Sequence, residues 1–280
     1  MRIGFIGAGK VGFSLGKYFL LNEYEISGYF NRNIKEALNA AKFTNSLCFK
    51  NINEIVDKSD ILFITVSDSV ISNIWSIISE LPVKDKIICH CSGLLSSSIF
   101  SGANEKSCNV CSVHPLLAVS GKYDSYKDLK KAFFTIEGNN FSIKVISEIL
   151  NKCGNKFKVI EDKSKIKYHL AASIASNLVI ALAKISIETL EQCGFSENEA
   201  ISALSPLMIE NVKNIFDKGV KNALTGPVER CDISTIKSHI SALEDDELTI
   251  YKLLSKKLSA VAKEKNSGIN YDSLNKILEV

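Results

Sequence analysis

The most informative absences in this sequence are a block of like charges and a long apolar segment. The 34 basic and 31 acidic residues are mixed along 280 positions and leave a net charge of +3. No basic block could follow a phosphate backbone, so the composition disfavours a nucleic-acid-binding protein. Because we find no apolar run of about 18 residues, we expect no membrane-spanning helix and no membrane partner. The strand-like run after Met1 leads directly into the motif described below, so we expect no cleaved signal peptide and a cytoplasmic location.

The sequence also has little that resembles a metal site, although it contains eight cysteines. Cys108 and Cys111 have the C-x-x-C spacing of a zinc half-site. Cys89 and Cys91, however, lie in a strand-like run, where residues two apart face the same way. We interpret the cysteines as reduced thiols that act mostly as small buried hydrophobes, and we predict no metal.

Short apolar runs alternate with helical patterns over the first 160 residues. The predicted strands are 2–6, 25–30, 61–66, 86–91, 110–113, 132–137 and 156–160. The predicted helices are 10–22, 33–41, 69–79 and 141–153. This alternation predicts βαβ units, and hence a Rossmann-type, doubly wound parallel sheet in residues 1–160.

No strand-like run follows residue 160, so we predict an all-helical domain over residues 161–280. The segment 164–194 reads as one continuous helix that ends at Gly194. Its first half is apolar nearly all round, which favours burial by neighbouring helices and by a second subunit. Ser196 and Glu199 have the spacing of a capping box and open the next helix. Further helical patterns cover 233–243, 245–265 and 271–278. The predicted fold class is therefore α/β followed by all-α.

The glycine-rich stretch GAGKVG follows the first predicted strand and precedes a helix. Gly7, Gly9 and Gly12 fit the G-x-G-x-x-G pattern in the βαβ context that it requires. Gly7 would allow a tight turn, Gly9 a close approach of a pyrophosphate, and Gly12 close helix–sheet packing. Backbone N–H groups at the helix start, including those of Lys10 and Val11, would hold the anion. A strand–helix turn without a ligand is the alternative.

The end of the second predicted strand indicates which nucleotide would bind. Its sequence is Asn31-Arg32-Asn33, with none of the carboxylates that hold the ribose hydroxyls of NAD. Arg32 could pair with a 2′-phosphate, which favours NADP(H), or could be a solvated surface residue. Val66, Ser67 and Ser92 follow later strands at the carboxyl edge, where the nicotinamide end would lie. Asp68 is expected to cap the helix at 69–79.

Polar residues interrupt the apolar surface of the longest predicted helix. His169, Ser173 and Asn177 recur every fourth position and would form one narrow stripe. Buried polar side chains need partners, and a substrate could supply them. His169 could instead be a core histidine bonded to backbone, and Asn177 could bridge two helices. Lys165 and Lys167 lie in the first turn and are rival proton donors.

The loop LTGPVERCD, residues 224–232, carries the other candidate substrate-binding residues. Gly226 and Pro227 form a turn, which leaves Thr225, Arg230 and Asp232 for polar roles. Arg230 matches a carboxylate in fork geometry, or pairs internally with a neighbouring acid. Asp232 could instead cap the helix at 233–243. His114, before Pro115, is predicted to face the same cleft.

The motifs GAGKVG, SVHPLLAVS, KIKYHLAASIASN, LTGPVERCD and IKSHI together resemble a family of Rossmann-type NADP oxidoreductases with a C-terminal DUF2520 domain. The resemblance covers essentially the whole chain. One departure is Cys231, where the family usually has glycine, a residue suited to positive φ. The family is similar to the 6-phosphogluconate-dehydrogenase-like group, whose helical domain often builds a dimer, and a homodimer is therefore expected.

Some members of that family act as an alternative form of ketopantoate reductase. The resemblance implies an NADPH-dependent reductase of a small 2-oxo acid, with 2-dehydropantoate as the first candidate. His169 would take the place of a catalytic lysine, and Asn177 that of an asparagine, in the related ketopantoate reductases. Histidine is a suitable donor near pH 7. The alternatives are an imine reductase similar to pyrroline-5-carboxylate reductase and a sensor that binds NADP without turnover.

Overall fold

The computed structural model describes residues 1–280, and the chain forms two compact units. The sheet unit is Met1–Asn177 and the helical unit is Leu178–Val280. The first part of the predicted long helix belongs to the sheet unit, because its side chains bond to the sheet.

Eight strands form one sheet in the sheet unit. They are β1 Arg2–Ile6, β2 Glu25–Phe30, β3 Leu47–Cys48, β4 Ile61–Ile64, β5 Ile87–His90, β6 Asn109–Leu116, β7 Phe133–Gly138 and β8 Phe157–Val159. Their order is β3-β2-β1-β4-β5-β6-β7-β8. All neighbours are parallel except β6 and β7, which run antiparallel, so the last two strands depart from the predicted all-parallel sheet.

The sheet unit contains six helices, which cover both faces of the sheet. They are α1 Lys10–Leu21, α2 Ile34–Thr44, α3 Ile52–Lys58, α4 Asp68–Ile78, α5 Asn140–Lys152 and α6 Lys165–Ala175. Helices α1, α2 and α5 pack on one face, and α3 and α4 pack on the other. Alternating strand residues serve the two cores, since Phe63 packs in the first core and Leu62 and Ile64 pack in the second. The predicted Rossmann-type sheet with helices on both faces is confirmed.

The cysteines of this unit lie where core thiols were predicted. Cys89 and Cys111 are fully buried on the paired strands β5 and β6, with sulfur atoms 3.2 Å apart. Cys108 is also buried, and all eight cysteines are free. Burial raises the pKa of the Cys108 thiol to about 12, so this group is a thiol rather than a thiolate at neutral pH.

The predicted continuous helix over 164–194 is interrupted at Ser176. Helix α6 ends at Ala175, and α7 spans Asn177–Gln192. Ser176 has φ −121° and ψ −75°, and its hydroxyl donates to the carbonyl oxygen of Ala172. A serine that bonds the carbonyl four residues earlier competes with the helical backbone pattern and bends helices. The stripe of His169, Ser173 and Asn177 therefore does not lie on one straight helix.

Four more helices complete the helical unit. They are α8 Glu197–Ala223, α9 Ile233–Ser241, α10 Asp245–Lys265 and α11 Asp272–Ile277. The predicted capping box is confirmed, because the Ser196 hydroxyl accepts from the Glu199 N–H while the Glu199 carboxylate accepts from the Ser196 N–H. The small core of this unit includes Val228, Ile236 and Tyr271.

One segment is long and apolar enough to cross a membrane by length and composition, so the prediction of no membrane-spanning helix stays a prediction. The stretch Asp162–Gln192 covers 31 residues across the interruption at Ser176, and an 18-residue window in it has a mean hydropathy of 1.8. Its start is attached to the sheet, since the buried Lys165 bonds to oxygens of Ser92 and Ser112. The uncharged part, residues 168–183, would extend about 24 Å as a helix, which is less than the ~30 Å hydrocarbon core of a bilayer.

Candidate active site

The glycine loop joins β1 to α1, and two of its glycines are required by close packing. Gly7 has φ +113°, a conformation that favours glycine, and donates its N–H to the carbonyl oxygen of Phe30 at 2.8 Å. A Cβ atom on Gly7 would lie 2.7 Å from the carbonyl oxygen of Thr65. A Cβ atom on Gly12 would lie 2.5 Å from the carbonyl oxygen of Gly7. Both glycines therefore bring the start of α1 against the edge of the sheet.

Gly9 differs from the other two glycines because the protein itself does not require it. Its φ is −80°, and the nearest atom to an added Cβ is the Thr65 carbonyl oxygen at 3.8 Å. Gly9 is the N-cap of α1 and provides no side chain to bond the free N–H groups of the first turn. This open, positively polarised helix end fits a pyrophosphate group. Lys10 and Val11 lie in this turn, exposed and half-buried respectively.

The end of β2 is built around two asparagines. The Asn31 side chain accepts from the N–H of Ala8 at 3.2 Å and donates to the carbonyl oxygen of Asn33 at 3.1 Å. The Asn33 side chain caps α2 by accepting from the N–H of Lys35. Arg32 between them is exposed and forms no ion pair, so its guanidinium is free to meet a phosphate.

One pocket of about 410 Å³ collects most of the predicted nucleotide-binding residues. Its lining includes Gly7, Gly9, Asn31, Arg32, Asn33, Val66 and Ser67. Ser67 is the N-cap residue of α4 but its side chain makes no capping bond. The pocket lies at the carboxyl edge of β1, β2 and β4, where open α/β sheets bind ligands.

Ser92, predicted near the nicotinamide, has a side chain fully engaged within the protein. Its hydroxyl donates to the Asp68 carboxylate at 2.7 Å and accepts from the N–H groups of Leu94 and Leu95. Its own N–H donates to Nδ1 of His90 at 3.2 Å. Asp68 is thus the partner of this serine and the first residue of α4, so the expectation that it would be the N-cap was wrong. Ser92 shapes the loop after β5.

A cluster of basic and aromatic side chains lies at this loop. The first turns of α6 supply Lys165, Tyr168 and His169, which share one face by their spacing. β6 supplies His114, whose Nδ1 lies 2.7 Å from the hydroxyl of Tyr168. Gly93 lies beneath both histidines, since a Cβ added there would be 2.9 Å from Nδ1 of His169 and 3.0 Å from Nε2 of His114.

Burial controls the charges in this cluster. Lys165 is 2% exposed, and its ammonium donates to the Ser92 carbonyl oxygen at 2.8 Å and the Ser112 hydroxyl at 2.7 Å. Desolvation lowers the pKa of Lys165 to about 8, so the ammonium is mostly charged at pH 7. Desolvation, aided by the charge of Lys165, lowers the pKa of His114 to about 4. The site therefore combines the Lys165 ammonium, which donates only to neutral oxygens, with the neutral imidazole of His114.

Sequence reasoning identified His114 and His169 but missed Tyr168 and the burial of Lys165. Lys165, Tyr168 and His169 fall at i, i+3 and i+4, which is the signal that could have placed them on one helix face. His90 was also missed. It is fully buried, its Nε2 lies 3.1 Å from the carbonyl oxygen of Ser96, and desolvation lowers its pKa to about 4.

The remaining predicted residues of the polar stripe lie farther along the chain. Ser173 is half-buried on α6, two turns beyond Lys165. Asn177 lies beyond the break, is exposed, and accepts from the Ser176 hydroxyl at 3.2 Å. The exposed Lys167 points away from the face that carries Lys165.

The LTGPVERCD loop belongs to the helical unit. Asp232 caps α9, because its carboxylate accepts from the N–H and hydroxyl of Thr235 and from the hydroxyl of Ser234. These bonds, that of the Thr235 side chain first, lower the pKa of Asp232 to about 2. Thr225 and Arg230 are exposed. Cys231 has φ +56°, so this position does take the left-handed conformation that its departure from glycine suggested.

Two family models match separate parts of the chain. Residues 2–92 match the family described as NADP oxidoreductase coenzyme F420-dependent, and residues 132–258 match a domain of unknown function, DUF2520. The chain carries an NADP oxidoreductase domain followed by a DUF2520 domain. The resemblance drawn from the motifs is confirmed at this level, as is the prediction of an NADP-dependent oxidoreductase. No curated protein matches the chain.

Solved structures share this architecture. Protein TM1727 from Thermotoga maritima is 28% identical, with a TM-score of 0.75 over 94% of this chain and 99% of that one. Pyrroline carboxylate reductase from Plasmodium falciparum, with NADP bound, is 14% identical, with a TM-score of 0.60 over 95% and 97% of the two chains. Imine reductase from Myxococcus stipitatus, in complex with NADP+, is 18% identical, with a TM-score of 0.60 over 99% and 93%. The last two likenesses show the fold alone.

Proposed function

We propose that this protein is an NADPH-dependent reductase of a small 2-oxo acid, with 2-dehydropantoate as the first candidate substrate. The observation that carries the proposal is the buried ammonium of Lys165 beside His114 and His169, at the same sheet edge as the glycine-loop pocket. This cation has no carboxylate in an ion pair with it. The carboxylates of Glu137 and Asp68 are near enough to favour its charged form, and an anionic substrate would supply a directly paired negative charge.

The pocket residues fit the phosphorylated nucleotide. The open helix end at Gly9 suits the pyrophosphate, and the unpaired Arg32 suits the 2′-phosphate. Bound there, NADPH would supply the hydride. Asn31 and Asn33 hold the backbone on either side of Arg32 and so keep the guanidinium at the rim of the pocket.

The polar cluster supplies what a ketone needs as it is reduced. Negative charge builds on the carbonyl oxygen, and a fixed donor must meet it. His169 is the proposed hydrogen-bond donor to this oxygen, and solvent water supplies the proton that the alkoxide takes up after hydride transfer. Lys165 raises the local positive potential that draws in the carboxylate. His114 is held neutral, and Tyr168 orients it. Ser173, Asn177, Thr225, Arg230 and Asp232 stay predictions for substrate contact or catalysis.

The positive charge of Lys165 argues against imine reduction, the activity for which one of the similar solved structures is named. A protonated imine is a cation, and Lys165 would repel it. A sensor without turnover would have no evident need for a buried ammonium beside two histidines, because taking a charge out of water costs stability even when neutral oxygens accept its hydrogen bonds.

A substrate panel tests the proposal. Purified protein is mixed with NADPH and, in turn, 2-dehydropantoate, other 2-oxo acids and a cyclic imine, and the absorbance of NADPH is followed. We expect oxidation with 2-dehydropantoate and little with the imine. Faster oxidation with the imine would replace the proposal by an imine reductase, and tight NADPH binding without oxidation on any compound would replace it by a sensor.

We further propose that a second copy of this chain, rather than a membrane, covers the apolar side of the helical unit. No residue of α7 is buried, and Ile180 is 69% exposed. On α8, Phe216 is 83% exposed. Soluble monomers rarely leave such surface uncovered, and charges of both signs on α7, at Lys184 and Glu188, suit a protein partner. Analytical ultracentrifugation is expected to give a dimer in solution; a monomer that sediments with vesicles would contradict this proposal.

A further inference from the structure

The glycine at position 93 lies against two histidine rings. It follows β5 by three residues and is buried. A Cβ atom there would lie 2.9 Å from Nδ1 of His169 and 3.0 Å from Nε2 of His114. Real Cβ atoms essentially never show contacts under 3.0 Å, so a side chain at this position would displace a ring.

Backbone conformation does not explain this glycine. Eight glycines of the chain have positive φ, and Gly93 is not among them. Its φ therefore does not demand glycine. What requires glycine at position 93 is the space that His114 and His169 occupy.

Neither ring is free to retreat from the glycine. The hydroxyl of Tyr168 lies 2.7 Å from Nδ1 of His114, and Tyr168 directly precedes His169 on α6. The ammonium of Lys165, one turn earlier on the same helix, donates to the carbonyl oxygen of Ser92 at 2.8 Å. Loop and helix are therefore tied together on both sides of the contact.

The contact has a consequence for the proton of His169. Its Nδ1 atom is buried and has no hydrogen-bond partner. A proton on this atom would be a buried donor without an acceptor, which is unfavourable. An unprotonated Nδ1 instead faces the α-carbon hydrogens of Gly93, a weak but permitted contact.

We propose that Gly93 is a positioning residue whose bare α-carbon holds His169 as the tautomer protonated on Nε2, the nitrogen that donates a hydrogen bond to the substrate oxygen. The inference rests on the proposed function for the part that concerns substrate. The tautomer follows from the contact with Gly93 alone, so it can be tested without substrate.

The direct test is a ¹⁵N NMR spectrum of the full chain labelled at histidine, at neutral pH. The His169 signals are assigned by their loss in His169→Gln. We expect an unprotonated, pyridine-type shift for Nδ1 and a protonated, pyrrole-type shift for Nε2. The reverse pattern, or fast exchange between the two tautomers, overturns the inference whether or not the protein turns over any substrate.

A matched pair of glycine variants tests the positioning role. Gly93→Ala is expected to shift the ring signals of both His114 and His169 and to lower kcat about 100-fold, as a misplacement near 1 Å can do, with the KM for NADPH unchanged. The control is Gly121→Ala, where a methyl group would meet only the Ser125 hydroxyl at 3.9 Å. This variant should change neither the histidine ring signals nor kcat. Unmoved ring signals in Gly93→Ala would overturn the role.

A pair of histidine variants tests which nitrogen donates. The amide nitrogen of glutamine lies near the position of Nε2, and that of asparagine near Nδ1. Against the substrate found in the panel, we expect His169→Asn to lose about 100-fold in kcat, the usual cost of one missing donor, and His169→Gln to lose clearly less. Greater activity in His169→Asn overturns the inference. If no compound is reduced, the proposed function fails, while the NMR result still decides the tautomer.

Discussion

Replacing Lys165 with methionine tests whether this lysine is as desolvated as its position indicates. The folded protein holds the pKa of Lys165 at about 8 through burial, whereas an unfolded chain has the ordinary value of about 10.4. Between these two values the unfolded state binds one proton more than the folded state. The stability of the wild type must therefore rise with pH across this window, and the methionine variant lacks this rise.

The size of the effect follows from the pKa shift. One pKa unit corresponds to about 1.36 kcal/mol, so the interval from pH 8 to pH 9.5 is worth about 2 kcal/mol as an upper bound. The effective dielectric around a buried charge is higher than that of dry protein, which reduces this figure to about 1 kcal/mol. The wild type should therefore gain about 1 kcal/mol over Lys165→Met between pH 7.5 and pH 9.5.

Urea unfolding at the two pH values measures this difference. The fluorescence of Trp75, the one tryptophan of the chain, reports on the sheet unit because its side chain is buried in the core there. Lys167→Met removes an exposed lysine from the same helix and should show no such change. If the free energies of unfolding of the wild type and Lys165→Met differ by the same amount at both pH values, Lys165 is not desolvated as described.

Three further predictions concern other parts of the chain. Arg32→Ala should raise the Kd for NADPH about tenfold and that for NADH less than twofold, measured by calorimetry, since an exposed charge-assisted bond is worth about 1.5 kcal/mol. Gly12→Ala should destabilise the sheet unit by about 1–3 kcal/mol in urea, because its Cβ would lie 2.5 Å from the carbonyl oxygen of Gly7. Asp232→Ala should lower the midpoint of urea unfolding, because the cap of α9 is lost.

Each of these variants has a matched control. Lys42→Ala removes a positive charge from the last turn of α2 and should leave the ratio of the two nucleotide affinities unchanged. Gly9→Ala should fold normally, since a methyl group there makes only ordinary contact with the Thr65 carbonyl oxygen at 3.8 Å, and yet weaken nucleotide binding by occupying the approach of the pyrophosphate. Glu244→Ala removes an N-cap residue whose side chain makes no capping bond and should not affect stability. Equal effects in a variant and its control would contradict the reason given for that variant.

The sheet could be predicted from the sequence where the local signals were strong. Strands β1 and β2 have the predicted bounds, since apolar runs end there at glycine or asparagine. Strand β3 and helix α3 were missed. The strand has two residues and the helix seven, which is too short for a periodic pattern to emerge. The capping signal of Asn51 with Glu54 was nevertheless present.

The break in the long helix could not be predicted from apolar periodicity. Apolar residues lie at helical spacing on both sides of Ser176, and the break arises from the bond between its hydroxyl and the Ala172 carbonyl. The orientation of β7 was missed for a similar reason. An apolar run indicates a strand but not its direction, which depends on the connection that precedes it.

The candidate site shows the same division between local and non-local information. The glycine loop and Arg32 are local motifs, and both line one pocket. The meeting of His114 and His169 at Gly93 depends on the register of β5 with β6 and on the packing of α6, which sequence spacing does not contain. The burial of Lys165 runs against the usual exposure of lysine, so composition argued against it.

The most direct test of the central claim compares His169→Ala with the wild type in steady-state oxidation of NADPH by 2-dehydropantoate. His239→Ala is the matched control, because this histidine lies in the helical unit and bonds to Tyr251. We expect a loss of 100-fold or more in kcat for His169→Ala, with the KM for NADPH unchanged and His239→Ala active. Undiminished turnover in His169→Ala would contradict that claim.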